Sequence, residues 1–161
     1  MTNTKDLLYY IPAGQYGKEG VLALLEQHPE IKFVSLVGID LAGNDTDEKI
    51  PSKLFLKDMD SFLHGTAVQT DGSSVVLPGI ATLNDAKVDM IADLNANWFV
   101  DYNYDHIDPF TNKPIGTLRI PSFLIHNNKS VCSRNILTSA INTFKSTLLD
   151  IFKNKSPLII S

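Results

Sequence analysis

The sequence predicts an α+β fold, in which a mixed sheet packs against short helices and a long helix follows. Two observations predict this class. Short apolar runs of strand length fill the middle of the chain, and amphipathic segments with helical spacing lie near both ends. The order of these segments, a few strands around one short helix and then a long helix, is typical of an α+β protein.

Three segments have the spacing of helices. Lys18–His28 carries an apolar face and is stopped by Pro29, and Ile50–Gly65 predicts one short helix with Pro51 in its first turn. Ser133–Lys153 predicts one long amphipathic helix. The apolar positions that define the last two faces are Phe55, Met59, Phe62 and Leu63, and then Ile136, Ala140, Ile141, Phe144, Leu148 and Phe152.

Strands are predicted between these helices. Ile31–Asp40 is a continuous apolar run, and Asn97–Tyr104 alternates apolar and polar residues. Ser74–Ile80 predicts an edge or bulged strand, and Gly116–His126 predicts one or two short strands broken at Pro121. The polar residues 44–49 are interpreted as a solvated turn, and residues 127–130 as a second turn.

Composition excludes several classes of protein. A chain of 161 residues with 43% hydrophobic residues fits one domain, or one domain with an appendage, and can bury a core. The net charge of −4 offers no basic surface for nucleic acid, and no apolar run is long enough for a membrane span. The single cysteine, Cys132, and an N-terminus without signal-peptide features indicate a cytoplasmic protein.

A turn of distinctive composition lies in the middle of the chain. Asp71, Gly72, Ser73 and Ser74 are consecutive and lead into the predicted strand Ser74–Ile80. Such residues are common in turns, because their side chains bond to the nearby backbone. The same groups also place a carboxylate and two hydroxyls at a strand edge, where they could bind a small cation such as ammonium. The residues alone leave both interpretations open.

Two other places carry reactive side chains. Asp105, His106 and Asp108 offer oxygen and nitrogen ligands, but no second cluster follows at ligand spacing, so we predict a solvated loop and no metal site. Cys132 precedes the long predicted helix. We expect it to be buried packing and not a nucleophile with His106 or His126 as its base.

Three segments, taken in order, resemble the N-terminal β-grasp domain of glutamine synthetase. They are FVSLVGIDLAGNDTDEKIP, FLHGTAVQTDGSS and DMIADLNANWFVDYN. The family shows a strand ending in an Asp-x-x-Gly turn, here Asp40 and Gly43, and then the Asp-Gly-Ser-Ser turn at similar spacing. The segment LRIPSFLI, followed by VCSRNILTSAINTF, is similar to the family's passage into the first catalytic-domain helix. The resemblance implies a β-grasp-like sheet with one packed helix, an N-terminal helix and a long C-terminal helix.

The resemblance also implies a chemistry. Glutamine synthetases phosphorylate glutamate with ATP, and ammonia then displaces phosphate from γ-glutamyl phosphate. By match to the family's motif, Asp71 would bind ammonium and help to remove its proton, with Ser74 in support and Gly72 and Ser73 in the loop. The family forms ring-shaped homo-oligomers in which this loop serves the catalytic domain of a neighbouring subunit. ATP and Mg²⁺ or Mn²⁺ would be bound there, and this chain would bind no cofactor by itself.

The resemblance divides the chain into three parts. Residues 1–30 are predicted to be an extension with a helix, 31–128 the β-grasp-like domain, and 129–161 the truncated start of a catalytic domain. No glutamate lies beyond Glu48, so the family's metal-ligating glutamates are expected outside this chain, which would be inactive alone. Thr70 replaces a usual aromatic residue, and Val75–Gly79 lacks a tryptophan that often approaches a neighbour's nucleotide. The alternative is a free-standing, non-catalytic β-grasp module that binds a partner.

Overall fold

The computed structural model describes residues 4–64, 68–71, 75 and 87–152. It confirms the α+β class. The helices and strands in chain order are β1 (Tyr10–Ile11), α1 (Lys18–Gln27), β2 (Ile31–Ile39), β3 (Asp45–Pro51), α2 (Ser52–Lys57), α3 (Met59–His64), β4 (Gln69–Asp71), β5 (Lys87–Ala92), β6 (Trp98–Ile107), β7 (Pro114–His126), β8 (Lys129–Ser130) and α4 (Ser133–Phe152).

The sheet is built around β7, its longest described strand. The strand order is β1-β6-β7-β2-β3, and β2 runs parallel to β7 while the other pairs are antiparallel. The second half of β7 pairs with β5, which carries β4 on its other side, and β8 folds back on the end of β7. The predicted mixed sheet is therefore confirmed.

The break predicted at Pro121 is wrong, because β7 runs through this residue without interruption. Pairing with β6 reaches Arg119, pairing with β2 reaches Pro121, and pairing with β5 begins at Ser122. Proline lacks a backbone N–H, and it lies where the strand exchanges one set of partners for another. Its carbonyl still accepts a hydrogen bond from the Asp93 N–H at 2.7 Å.

The solvated turn predicted over residues 44–49 is also wrong, because most of it belongs to β3. This strand forms an antiparallel hairpin with β2, in which Ile50 pairs with Val34. Its side chains alternate between more and less exposed positions, and Ile50 is buried. Aspartate, glutamate and lysine have low strand propensity, but charged residues are common on edge strands, where they discourage further pairing.

The helix predicted over Ile50–Gly65 is divided in two. The helices α2 and α3 meet at Asp58, whose N–H donates to the Phe55 carbonyl at 3.3 Å. The predicted apolar face is correct, because Phe55, Met59 and Leu63 are all buried. Apolar spacing thus identified the surface that packs on the sheet but not the interruption.

The N-terminal residues contribute to the same core. Ile11 in β1 is fully buried, and Tyr10 pairs with Phe99 of β6. The Tyr102 hydroxyl of β6 donates to the Leu8 carbonyl at 3.0 Å. Residues before position 31 are therefore attached to the sheet by a strand pair and a side-chain hydrogen bond. The boundary at residue 30 stays a prediction.

A stacked aromatic pair joins this N-terminal segment to β6. The ring of Tyr16 lies parallel to that of Trp98, with 3.9 Å between the ring centroids, and its hydroxyl donates to the Ala96 carbonyl. Trp98 is fully buried. Burial and the nearby negative charge of Asp93 raise the pKa of the Tyr16 hydroxyl.

The helix α4 confirms the long helix that was predicted over Ser133–Lys153, as far as the described residues extend. None of its residues is buried, although seven large apolar side chains are exposed on it. These are Ile136, Leu137, Ile141, Phe144, Leu149, Ile151 and Phe152. Within the described residues, no helix combines the length and the apolar character needed to cross a membrane.

Candidate functional site

Asp71 was predicted to lie in a turn, and the structure gives it as the last residue of β4. Its backbone pairs with that of Lys87 in β5. Gly72, Ser73 and Ser74 lie outside the described residues, as does most of the predicted strand Ser74–Ile80. The described residue after the turn, Val75, is buried. The assigned roles of Asp71 and Ser74 therefore stay predictions, while the backbone position of Asp71 is established.

The residue before Asp71 faces the interior. Thr70 is buried and pairs with Val88, which is fully buried. Its hydroxyl lies 3.5 Å from that of Thr46 on β3. Thr70, which replaces the aromatic residue usual in the resembled family, thus presents a hydroxyl here. This hydroxyl links the β4–β5 pair to the edge of the main sheet.

Two charged residues of β5 lie near Asp71 in the ladder. Lys87 pairs with Asp71, and Asp89 pairs with Gln69. Because Lys87 and Asp89 are two residues apart on one strand, they share a face of the sheet. The Lys87 Nζ is 3.4 Å from Asp89 Oδ1. The sequence analysis missed this ion pair, although the charged–apolar–charged alternation at residues 87–89 was its signal.

The Asp40–Gly43 turn has the geometry that the resemblance predicted. The buried carboxylate of Asp40 accepts hydrogen bonds from the N–H groups of Ala42 and Asn44, each at 2.9 Å. Gly43 has a φ of +88°, a conformation that glycine adopts without strain. The turn is thus held by its own aspartate, and it carries β2 into β3.

The loop predicted around Asp105, His106 and Asp108 is wrong in part. Asp105 and His106 belong to β6, and Asp108 follows the strand with its side chain buried. The Asp108 carboxylate accepts a hydrogen bond from the Thr111 hydroxyl at 2.8 Å and lies 3.2 Å from the Lys32 ammonium. Burial acts to raise the pKa of Asp108, but these bonds outweigh it and the pKa is lowered. The carboxylate therefore closes a turn.

A buried carboxylate that the sequence did not reveal lies beside β7. Glu30 is fully buried, and its Oε1 lies 3.1 Å from the His28 Nδ1 and 3.3 Å from the Lys113 Nζ. Burial and the charge of Glu30 raise the pKa of Tyr102 strongly. Lys113 also donates to the Asp6 carbonyl at 3.4 Å. This cluster fastens the N-terminal segment to the sheet.

The remaining candidate, Cys132, has a structural position. Cys132 is fully buried, which confirms the prediction of packing, and its Sγ lies 3.5 Å from the Ser130 hydroxyl. Beside it, Arg134 in the first turn of α4 binds the carboxylate of the buried Asp93 and lies over the ring of Phe123. This ion pair anchors the start of α4 to the sheet. In the part of the chain that the structure describes, no three metal-ligating side chains cluster together.

Comparison with solved structures identifies where this architecture recurs. The chain is similar to a cryo-EM structure of Plasmodium falciparum glutamine synthetase, with a TM-score of 0.55 and 12% sequence identity, over 85% of this chain and 24% of that one. It is also similar to GmaS in complex with ADP, with a TM-score of 0.51 and 16% identity, over 78% of this chain and 26% of that one. The resemblance to glutamine synthetase is therefore confirmed at the level of the fold.

The extent of these matches limits what they show. The chain spans about a quarter of the length of either solved structure. No protein-family model matches the sequence, and no curated protein matches it either. At sequence identities this low, the structural matches show a common fold alone.

Proposed function

We propose that this chain is the N-terminal domain of a glutamine synthetase, an ATP-dependent ligase that joins ammonia to glutamate. In this proposal the Asp71 turn contributes the ammonium site to an active site completed by a catalytic domain. The observation that carries the proposal is the position of Asp71. It is the last paired residue of β4, directly before Gly72, within a fold that recurs in solved glutamine synthetases.

The chemistry needs a carboxylate at this point. An ionised aspartate binds ammonium by charge-assisted hydrogen bonds and can accept one of its protons. The neutral ammonia then attacks the carbonyl carbon of γ-glutamyl phosphate. A carbon–nitrogen bond forms, the bond to the phosphate oxygen breaks, and phosphate leaves. Asp71 thus binds and deprotonates the nucleophile, and Ser74 supports the ammonium ion with its hydroxyl.

In this proposal, the sites for ATP and the metal ions lie outside this chain. The described residues contain no cluster of three metal-ligating side chains, so they do not fit a Mg²⁺ or Mn²⁺ site, and no step at Asp71 involves the metal or ATP. Both are assigned to the catalytic domain of the same or a neighbouring subunit, in a cytoplasmic ring-shaped homo-oligomer. The exposed apolar face of α4 supports a partner, because such a face is usually covered in the assembled protein.

The proposal is tested by turnover in the longest natural form of the protein. Asp71→Asn keeps the size of the side chain and removes its charge, so we expect a loss of ammonia-dependent glutamine formation of about 100-fold or more. Asp105→Asn is the matched control, because this exposed aspartate lies in β6, and it should leave turnover unchanged. Near-normal turnover in the Asp71 variant would exclude the role assigned to this residue.

A further inference from the structure

A groove between two helices and a turn has no part in the proposed ligase chemistry. It is lined by residues of α1, of α2 and of the turn after β6, and its volume is about 590 Å³. Pockets for small molecules in proteins commonly have volumes of about 300–1,000 Å³. We propose that this groove binds a small zwitterion with an apolar tail, namely a free α-amino acid with an aliphatic side chain.

Much of the lining of this groove is apolar. It includes the buried Leu25 and Ile31, from α1 and β2, and the half-buried Leu56 of α2. Leu22 of α1 also lines the groove and is 39% exposed. An aliphatic side chain placed against these residues would remove apolar surface from water on both sides, which is favourable in proportion to the area buried.

Phe110 lines the same groove, although its side chain is 93% exposed. It lies in the turn between β6 and β7, where the buried Asp108 carboxylate accepts hydrogen bonds from the N–H and the hydroxyl of Thr111, at 3.3 and 2.8 Å. The turn is therefore held in place while its largest apolar side chain is left in water. A ligand in the groove would cover part of this ring.

The charges around the groove indicate what else the ligand carries. Lys32 and Asp108 neutralise each other, with the Lys32 Nζ 3.2 Å from Asp108 Oδ1. Glu26 of α1 and Lys53 of α2 also line the groove, and within the described residues neither has an ion-pair partner. A ligand with a single charge would be attracted by one of these two groups and repelled by the other. A free amino acid carries both an ammonium and a carboxylate group, so each can form a charge-assisted hydrogen bond.

This chemistry assigns each part of the ligand. Its ammonium group donates to the Glu26 carboxylate, its carboxylate accepts from the Lys53 Nζ, and its side chain packs against Leu22 and the Phe110 ring. Glu26 and Lys53 are both exposed, so water and salt weaken each ion pair. We therefore expect a dissociation constant in about the millimolar range. The groove binds the amino acid without changing it chemically.

An NMR titration of the 161-residue chain with L-leucine tests the proposal. The amide signals of the residues that line the groove should shift and reach saturation. Leucine amide lacks the carboxylate and 4-methylpentanoate lacks the ammonium group, so each should bind about threefold to tenfold more weakly than leucine. Glycine lacks the aliphatic side chain and should give no saturable shift at the same concentrations.

Substitutions in the chain test the two ends of the ligand separately. Lys53→Gln should weaken the binding of leucine but not that of leucine amide, and Glu26→Gln should weaken the binding of leucine but not that of 4-methylpentanoate. Glu19→Gln and Lys57→Gln are the matched controls, because these residues lie on the same two helices but do not line the groove. Both controls should bind leucine as the wild type does, and amide spectra verify the fold of every variant.

Two results would overturn the proposal. The first is a lack of saturable shifts with leucine at concentrations well above the millimolar range. The second is equal binding of leucine, leucine amide and 4-methylpentanoate, which would mean that the groove recognises an apolar body alone. The titration needs no ligase activity, so neither result bears on the role of Asp71 in turnover.

Discussion

At the scale of single residues, the centre of the sheet leaves little room for added atoms. A Cβ placed on Gly116 of β7 would lie 2.9 Å from the Tyr102 ring and 3.1 Å from Ile31 and Val100. We expect Gly116→Ala to lower the free energy of unfolding by about 1–3 kcal/mol, because the surrounding side chains must move.

The same substitution in α1 is the matched control for Gly116. A Cβ on Gly20 would have no neighbour within 4 Å, and alanine favours the helix by up to about 1 kcal/mol. Urea denaturation of both variants measures the difference. If Gly116→Ala were as stable as Gly20→Ala, the packing described around β7 would be incorrect.

Tyr102 gives a pH dependence with a defined sign. The pKa of its hydroxyl is raised above the ordinary value of about 10, first by burial and then by the charge of Glu30. The folded protein therefore favours the neutral hydroxyl, and the stability this contributes is complete below pH 10 and is lost as the pH rises above it. Tyr102→Phe should flatten the fall in unfolding free energy that begins above about pH 10. An equally steep fall in the variant would contradict this assignment.

Residues whose role is local could be predicted from the sequence, and residues whose role depends on distant partners could not. Asp40 and Gly43 lie in one turn, which the resemblance to the family's Asp-x-x-Gly pattern predicted. The partner of Glu30, Lys113, is 83 positions away, so no local pattern identifies their contact. Asp71 belongs to both groups, because its turn chemistry is local while its pairing with Lys87 depends on the sheet.

At the scale of elements, apolar periodicity predicted α1, β2, β6 and α4, each of which carries a long amphipathic or apolar pattern. It failed for β3, where hydrogen bonding to β2 holds a charged segment that has little strand propensity of its own. It failed again at Pro121, because a single sequence does not show that a strand changes partners at that residue.

The contrast between α2 and α4 gives a prediction about two phenylalanines. Phe55 in α2 is fully buried, while Phe144 in α4 is exposed. Phe55→Ala should cost about 3–5 kcal/mol of unfolding free energy, because it leaves a cavity. Phe144→Ala in the isolated chain should change it by about 0.5 kcal/mol or less. Thermal and urea denaturation of the two variants make this comparison, and a large cost at Phe144 would show that α4 is already packed.

At the scale of the whole molecule, the exposed face of α4 should make the isolated chain associate. The side chains of Ile141 and Phe144 lie on that face, and burying them against a second molecule is favourable. Sedimentation velocity should show association that increases with concentration. Serine at both positions should abolish it, whereas Asn142→Ser, a polar change on the same helix, should not. Monomeric behaviour of the wild type at high concentration would argue against an uncovered apolar face.

The proposed function requires this fold to be one part of a ligase whose catalytic domain lies elsewhere. Sequencing the source gene past the codon for Ser161 tests it most directly. We expect the reading frame to continue into a region several times longer, with clustered glutamates and arginines to bind metal, ATP and glutamate. A stop codon directly after Ser161 would contradict it, and the β-grasp-like domain would then act by binding a partner.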